Sequence, residues 1–106
     1  MECINVQWKH AYTTEPARLV SELVADRHEM RKLEFFRDGR VGHACRDHAS
    51  PGTALGCAPE PSFVDIQQSP EFECATIGAQ AFEVLWLAYV QSDGWRRHAA
   101  SMQGAS

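Results

Sequence analysis

The chain has 106 residues, 44% hydrophobic and 23% charged, enough for one domain around one modest core and too few for two. With 14 acidic residues against 10 basic ones and a pI near 5.7, it lacks the positive field that a phosphate backbone requires, so no nucleic-acid partner is expected. No run approaches the roughly 18 apolar residues of a membrane span, and Met1-Glu2-Cys3 is not the start of a secretion signal. The expectation is a cytoplasmic protein without membrane contact, in which Cys3, Cys45, Cys57 and Cys74 are reduced thiols.

From Ile4 to Tyr12, the residues Ile4, Val6, Trp8 and Tyr12 alternate with Asn5, Gln7 and Lys9, the period of a half-buried strand. Pro16 to Asp26 reads two ways. Leu19, Val20, Leu23 and Val24 have helical spacing behind Glu15-Pro16, which favours a helix, whereas a hairpin around Asp26-Arg27 would bring Glu22 beside Arg31. Glu29 to Phe36 is rich in bulky residues and runs into Asp38-Gly39, the dipeptide of a two-residue hairpin loop. Counting outward from that loop places Leu33 opposite Ala44 and Phe35 opposite Gly42 on one face. Phe36 with Val41, Glu34 with His43 and Lys32 with Cys45 then occupy the other.

Ala49 to Pro61 is a loop by its glycines and prolines. Ser62-Phe63-Val64-Asp65 has the form of a capping box, opening a short helix that Ser69-Pro70 ends. Phe72 to Ile77 is suited to a last strand, and Gly78 to the N-cap of a helix over Ala79 to Gln91. In that helix Phe82, Leu85, Trp86, Tyr89 and Val90 form one apolar stripe. The fold class is therefore α+β: an antiparallel sheet of four to five strands, a C-terminal helix packed on one face, and a short extra helix. Residues 1–94 form the domain and 95–106 a frayed tail.

His43-x-Cys45-x-x-His48, with Cys57 further on, holds the ligand types that tetrahedral zinc uses, but the spacing is not a standard one. A polar strand edge running into a loop explains the same residues, so no metal and no cofactor is expected. Cys45 has His43 and Arg46 near it in sequence, as a nucleophilic thiol would need, yet such neighbours arise often by chance. Trp8 and His10 share a strand face and frame either a ligand pocket or a core tryptophan beside a solvated histidine. Glu22 with Arg31 reads as an ion pair across the sheet before it reads as a catalytic acid. No glycine-rich phosphate loop or serine elbow occurs, and no enzyme is expected.

Several motifs bear a common resemblance: V-x-W-x-H at Val6 to His10, E-P at Glu15-Pro16, S-E-L at Ser21 to Leu23, R-K-x-E-x-F-R-D-G-R at Arg31 to Arg40, L-G at Leu55-Gly56, and F-E-x-x-W at Phe82 to Trp86. In this order they resemble an uncharacterised bacterial domain family of about a hundred residues, over residues 4 to about 90. The resemblance implies that Pro16 to Leu23 is a strand paired with Glu29 to Phe36, and it carries no activity to transfer. By analogy with other small acidic single-domain bacterial proteins, the expected function is that of an immunity-type inhibitor that occludes a basic toxin or enzyme. Its contacts would be Lys32, Glu34, Phe36 and His43, with Phe36 as the anchor. The alternative is a small-ligand or enzymatic domain with a site around Trp8, His10, Glu22 and Arg31.

Overall fold

A computed structural model describes residues 2–91. Five strands, β1 (Glu2–Trp8), β2 (Arg18–Leu23), β3 (Glu29–Phe35), β4 (Val41–Cys45) and β5 (Phe72–Ile77), form one sheet in the order β4-β3-β2-β1-β5. Every neighbouring pair is antiparallel. A short helix α1 (Phe63–Gln67) precedes β5, and α2 (Ala79–Trp86) follows it and widens into a π-type turn over Leu87–Gln91. The fold is the expected α+β arrangement, with the larger number of strands. The expected frayed tail at 95–106 lies outside the described residues.

Within segment 16–26, Arg18–Leu23 is a strand, and both of its faces are covered. Val20 faces α2 and Leu23 faces the α1 side, both fully buried, so apolar residues fall on both strand parities and imitate helical spacing. β1 stops at Trp8, short of the expected extension to Tyr12. Beyond it, His10 organises the connection to β2: Tyr12 donates its backbone N–H to Nδ1 at 2.9 Å, and Nε2 lies 2.8 Å from the Pro16 carbonyl. These two bonds place the ring proton on Nε2.

The β3–β4 hairpin differs from expectation by one residue. Gly39 does not share a two-residue loop with Asp38; it takes the left-handed position, φ 93°, at the end of a three-residue loop. The loop is closed by Gly39 N–H to Phe36 O at 3.1 Å and Phe36 N–H to Arg40 O at 3.0 Å. Phe35 therefore pairs with Val41, Leu33 with His43 and Lys32 with Ala44. That slip turns every β4 side chain over: Val41 and His43 meet the α2 side, and Gly42 and Ala44 lie on the other face. The large-with-small pairing expected under the helix is absent. Gly42 instead admits the loop after β4, since a Cβ there would overlap the Thr53 hydroxyl.

α2 covers Cys3, Val20 and Leu33 with the fully buried Phe82, while Phe35, Leu85 and Trp86 pack around them and Tyr89 meets Phe35 edge-on at 5.2 Å. Arg31 of β3 locks this layer. It binds Glu22 of β2 in bidentate fashion, at 2.7 and 2.8 Å, and Glu83 of α2 with the same fork. Its guanidinium carbon also lies 4.9 Å from the Phe82 ring centre and 5.2 Å from that of Trp86. The two carboxylates hold the Arg31 pKa above the usual arginine value. Arg31→Met would leave Glu22 with a buried and unpaired charge, so a loss of about 3 kcal/mol is expected in urea denaturation. Glu83 is half exposed, and Glu83→Gln should cost under about 1 kcal/mol. Equal losses for the two variants would contradict this division.

Candidate functional site

The second face of the sheet carries Ile4, Val6, Leu23 and Cys74 under Phe63, Ile66 and Phe72. Covering it takes two separate pieces of chain. α1 lies beside β5, started by the Ser62 hydroxyl, which accepts the Asp65 N–H at 3.2 Å. The loop 46–61 crosses β4 and β3 and is pinned along its length. Ser50 donates its N–H to the His43 carbonyl at 2.8 Å, Thr53 its hydroxyl to Glu34 at 2.9 Å, and Gly56 its N–H to Glu29 at 2.5 Å. Its last residues dock on the β2–β3 turn. Arg27 there sits at φ 68°, uncommon for a residue other than glycine; its carbonyl accepts the Glu60 N–H at 2.8 Å and its side chain donates to the Glu60 and Pro61 carbonyls.

Between α1 and this loop a cleft of about 370 Å³ remains open to the sheet. Ile4, Val6 and Leu19 form its floor, Ile66 and Phe72 one wall, and Trp8 one end. Trp8 packs 4.3 Å from His10 and 5.9 Å from Phe72, ring centre to ring centre, and its buried indole N–H has no hydrogen-bond partner among the described residues. Polar groups line the rest: Ser21, Glu29, Lys32, Glu60 and Asp65. Glu29 is buried and accepts from Ser21 Oγ, Lys32 Nζ and Gly56 N–H, so its charge is neutralised within the protein. Glu60 has no such arrangement. Burial pushes its carboxyl above the ordinary range, the nearby Glu29 adds to that, and Lys32 and Arg27 offset part of it.

The residues singled out in the sequence are divided by this geometry. Trp8 lines the cleft, with His10 tilted against it and clipping the β1–β2 connection. Glu22 and Arg31 are on the opposite face, joined as an ion pair under α2, so the four do not surround one pocket. The expected protein-binding set is also split. Lys32 lines the cleft and its side chain is only 12% exposed; Glu34 is bound by Thr53; Phe36 closes the hairpin beneath the Arg40 guanidinium, 4.7 Å away. His43 is buried on the α2 side, edge-on to Trp86, because of the one-residue slip in register. His43 Nε2 lies 3.1 Å from His48 Nδ1, while Cys57 is exposed on the far part of the loop. Among the described residues, no three histidine, cysteine or acidic side chains are grouped to hold a metal ion. Glu29, Glu60 and Asp65 were not anticipated. The one local signal was Pro59-Glu60-Pro61, a carboxylate held between two stiff residues in an otherwise small and polar loop.

The molecule is thus a small α+β domain with a lateral cleft between a helix and a pinned loop. Residues 2–91 match the model of the domain of unknown function DUF6881, and the chain belongs to that family. No curated protein and no solved structure gives a significant match. Among the described residues, no helix is long and apolar enough to cross a membrane.

Glu60 should be a residue that the folded state would be better without. A raised carboxyl pKa means that stability is full below the unfolded value and declines as pH rises through the folded one. Glu60→Gln does not ionise and escapes that decline. Thermal melts at neutral pH should place the variant a few degrees above the natural protein, roughly the effect of a fraction of a kcal/mol, with the gap closing below the usual glutamate pKa. A variant less stable at neutral pH would show that Glu60 supports the fold.

Proposed function

We propose that this protein binds a small amphipathic molecule in the cleft between α1 and the loop 46–61. The observation that carries the reading is the cleft's composition: an apolar floor and an aromatic end at one side, and at the other polar groups positioned by hydrogen bonds of the loop to β3 and the β2–β3 turn. Its volume of about 370 Å³ falls within the roughly 300–1,000 Å³ of small-molecule sites, which share this pattern of apolar lining and a few oriented polar groups. Binding is assigned and no reaction is. Four free thiols fit a reducing compartment such as the cytoplasm. The occlusion reading has less support, because Lys32 and Glu34 are engaged within the protein and His43 lies on the other face.

Phenethyl alcohol, an aromatic body with a neutral head, probes the cleft directly. Titrated at millimolar concentration into nitrogen-15-labelled protein, it should give saturable shifts of the Trp8 indole N–H and of the Leu19, Ser21 and Ile66 amides. Ser69 lines the cleft while its backbone groups make the turn bonds, so Ser69→Trp fills the space without removing them. The variant should weaken binding by about tenfold, the worth of roughly 1.4 kcal/mol, at unchanged circular dichroism. Absence of saturable shifts in the cleft would overturn the reading and return attention to a protein partner.

A further inference from the structure

We infer that the cleft selects a cation: an amine or other ammonium-type head held at Glu60, on an apolar or aromatic body lying over Ile4, Val6 and Leu19 toward Trp8. This rests on the ligand-binding reading above and specifies its chemistry. The charges at the polar end of the cleft decide the sign. Lys32 is the cation among the lining residues, and it is already committed to Glu29, 3.2 Å away, whose two oxygens also take Ser21 and Gly56. Arg27, the other nearby cation, is bound to Glu2 and to two loop carbonyls. Each is already paired with a carboxylate, so the charge left over at this end of the cleft is negative.

Two carboxylates face the cleft without a counterion among the described residues. Glu60 is half-buried, and its side chain has no hydrogen-bond or ion-pair partner among the described residues; Asp65, across on α1, uses only its backbone in the cap. A half-buried, unpaired carboxylate is costly, and the bonds of Arg27, through its carbonyl and its side chain, to the Glu60 backbone hold it there regardless. A ligand ammonium would supply the missing donors as charge-assisted hydrogen bonds, stronger than neutral ones, in partly desolvated surroundings. A ligand carboxylate would meet like charge. A neutral head would gain the apolar contacts alone. Burial and Glu29 disfavour the Glu60 charge, a cost that a ligand ammonium would offset; Glu29, Lys32, Arg27 and Asp65 are the charged groups around it.

The test uses three probes with a phenyl body and different heads: phenethylamine, phenethyl alcohol and hydrocinnamate. Each is titrated at neutral pH into labelled natural protein and into Glu60→Gln, with cleft amides and the Trp8 indole as readout. The amine should bind about tenfold more tightly than the alcohol, as one charge-assisted hydrogen bond would give, and the acid most weakly. In Glu60→Gln the amine's advantage should vanish while the alcohol's affinity persists, which also shows that the variant is folded. Equal affinity for amine and alcohol in the natural protein would overturn the cation assignment and leave the ligand-binding reading intact. An amine advantage that survives Glu60→Gln, or shifts that map outside the cleft, would overturn the role of Glu60. Binding of none of the three would overturn both inferences.

Discussion

The fork formed by Arg31 with Glu22 and Glu83 is the interaction on which the division of labour between the two sheet faces depends. It ties β2, β3 and α2 at one point, and its flat guanidinium also lies against the rings of Phe82 and Trp86. One side chain thus serves as ion-pair partner and as packing surface. With α2 held in this way, one face of the sheet is a closed apolar layer. The other face is left to be covered by shorter pieces, and shorter pieces leave a gap.

That gap is bounded by polar anchors rather than by packing. Thr53, Gly56 and Glu60 are fastened in turn to Glu34, Glu29 and Arg27, so the loop follows β3 and its turn instead of collapsing onto Ile4 and Val6. Collapse would bury more apolar surface. The bonds that oppose it include two to carboxylates, which are stronger than neutral ones and hold the loop at a fixed distance from α1. Arg27 contributes a backbone conformation that few residues other than glycine adopt, and its many contacts with the loop and Glu2 compensate for it.

Much of the architecture was legible in the sequence. The periodicity of Phe82, Leu85, Trp86 and Tyr89, the Ser62 cap and the Phe72–Ile77 strand all occur where the pattern placed them. Segment 16–23 was ambiguous because a strand buried on both faces loses its alternation, and the resemblance to a family was what resolved it. The hairpin register was misread because Asp38-Gly39 suits two turns: Gly39 with a positive φ is required in both, and local composition does not separate a two-residue loop from a three-residue one. The site itself was hardly legible. Trp8 reads as a candidate pocket residue but with His10, Glu22 and Arg31 as its partners, Lys32 reads as a protein contact, and Glu29, Glu60 and Asp65 come together only through the path of a loop that has no period to read.

The position of β1 has a consequence for how the chain comes to be folded. β1 lies inside the sheet, yet its neighbour on one side, β5, begins at Phe72, more than 60 residues after β1 ends at Trp8. The meander from β1 to β4 is built from adjacent segments and can assemble as soon as they leave the ribosome, whereas β5 cannot arrive until its own segment has been made. Until then β1 presents a long, apolar and unpaired edge, the kind of surface that recruits strands from other chains. The growing polypeptide therefore passes through a period in which a strand that ends up inside the sheet is the one most open to misassembly.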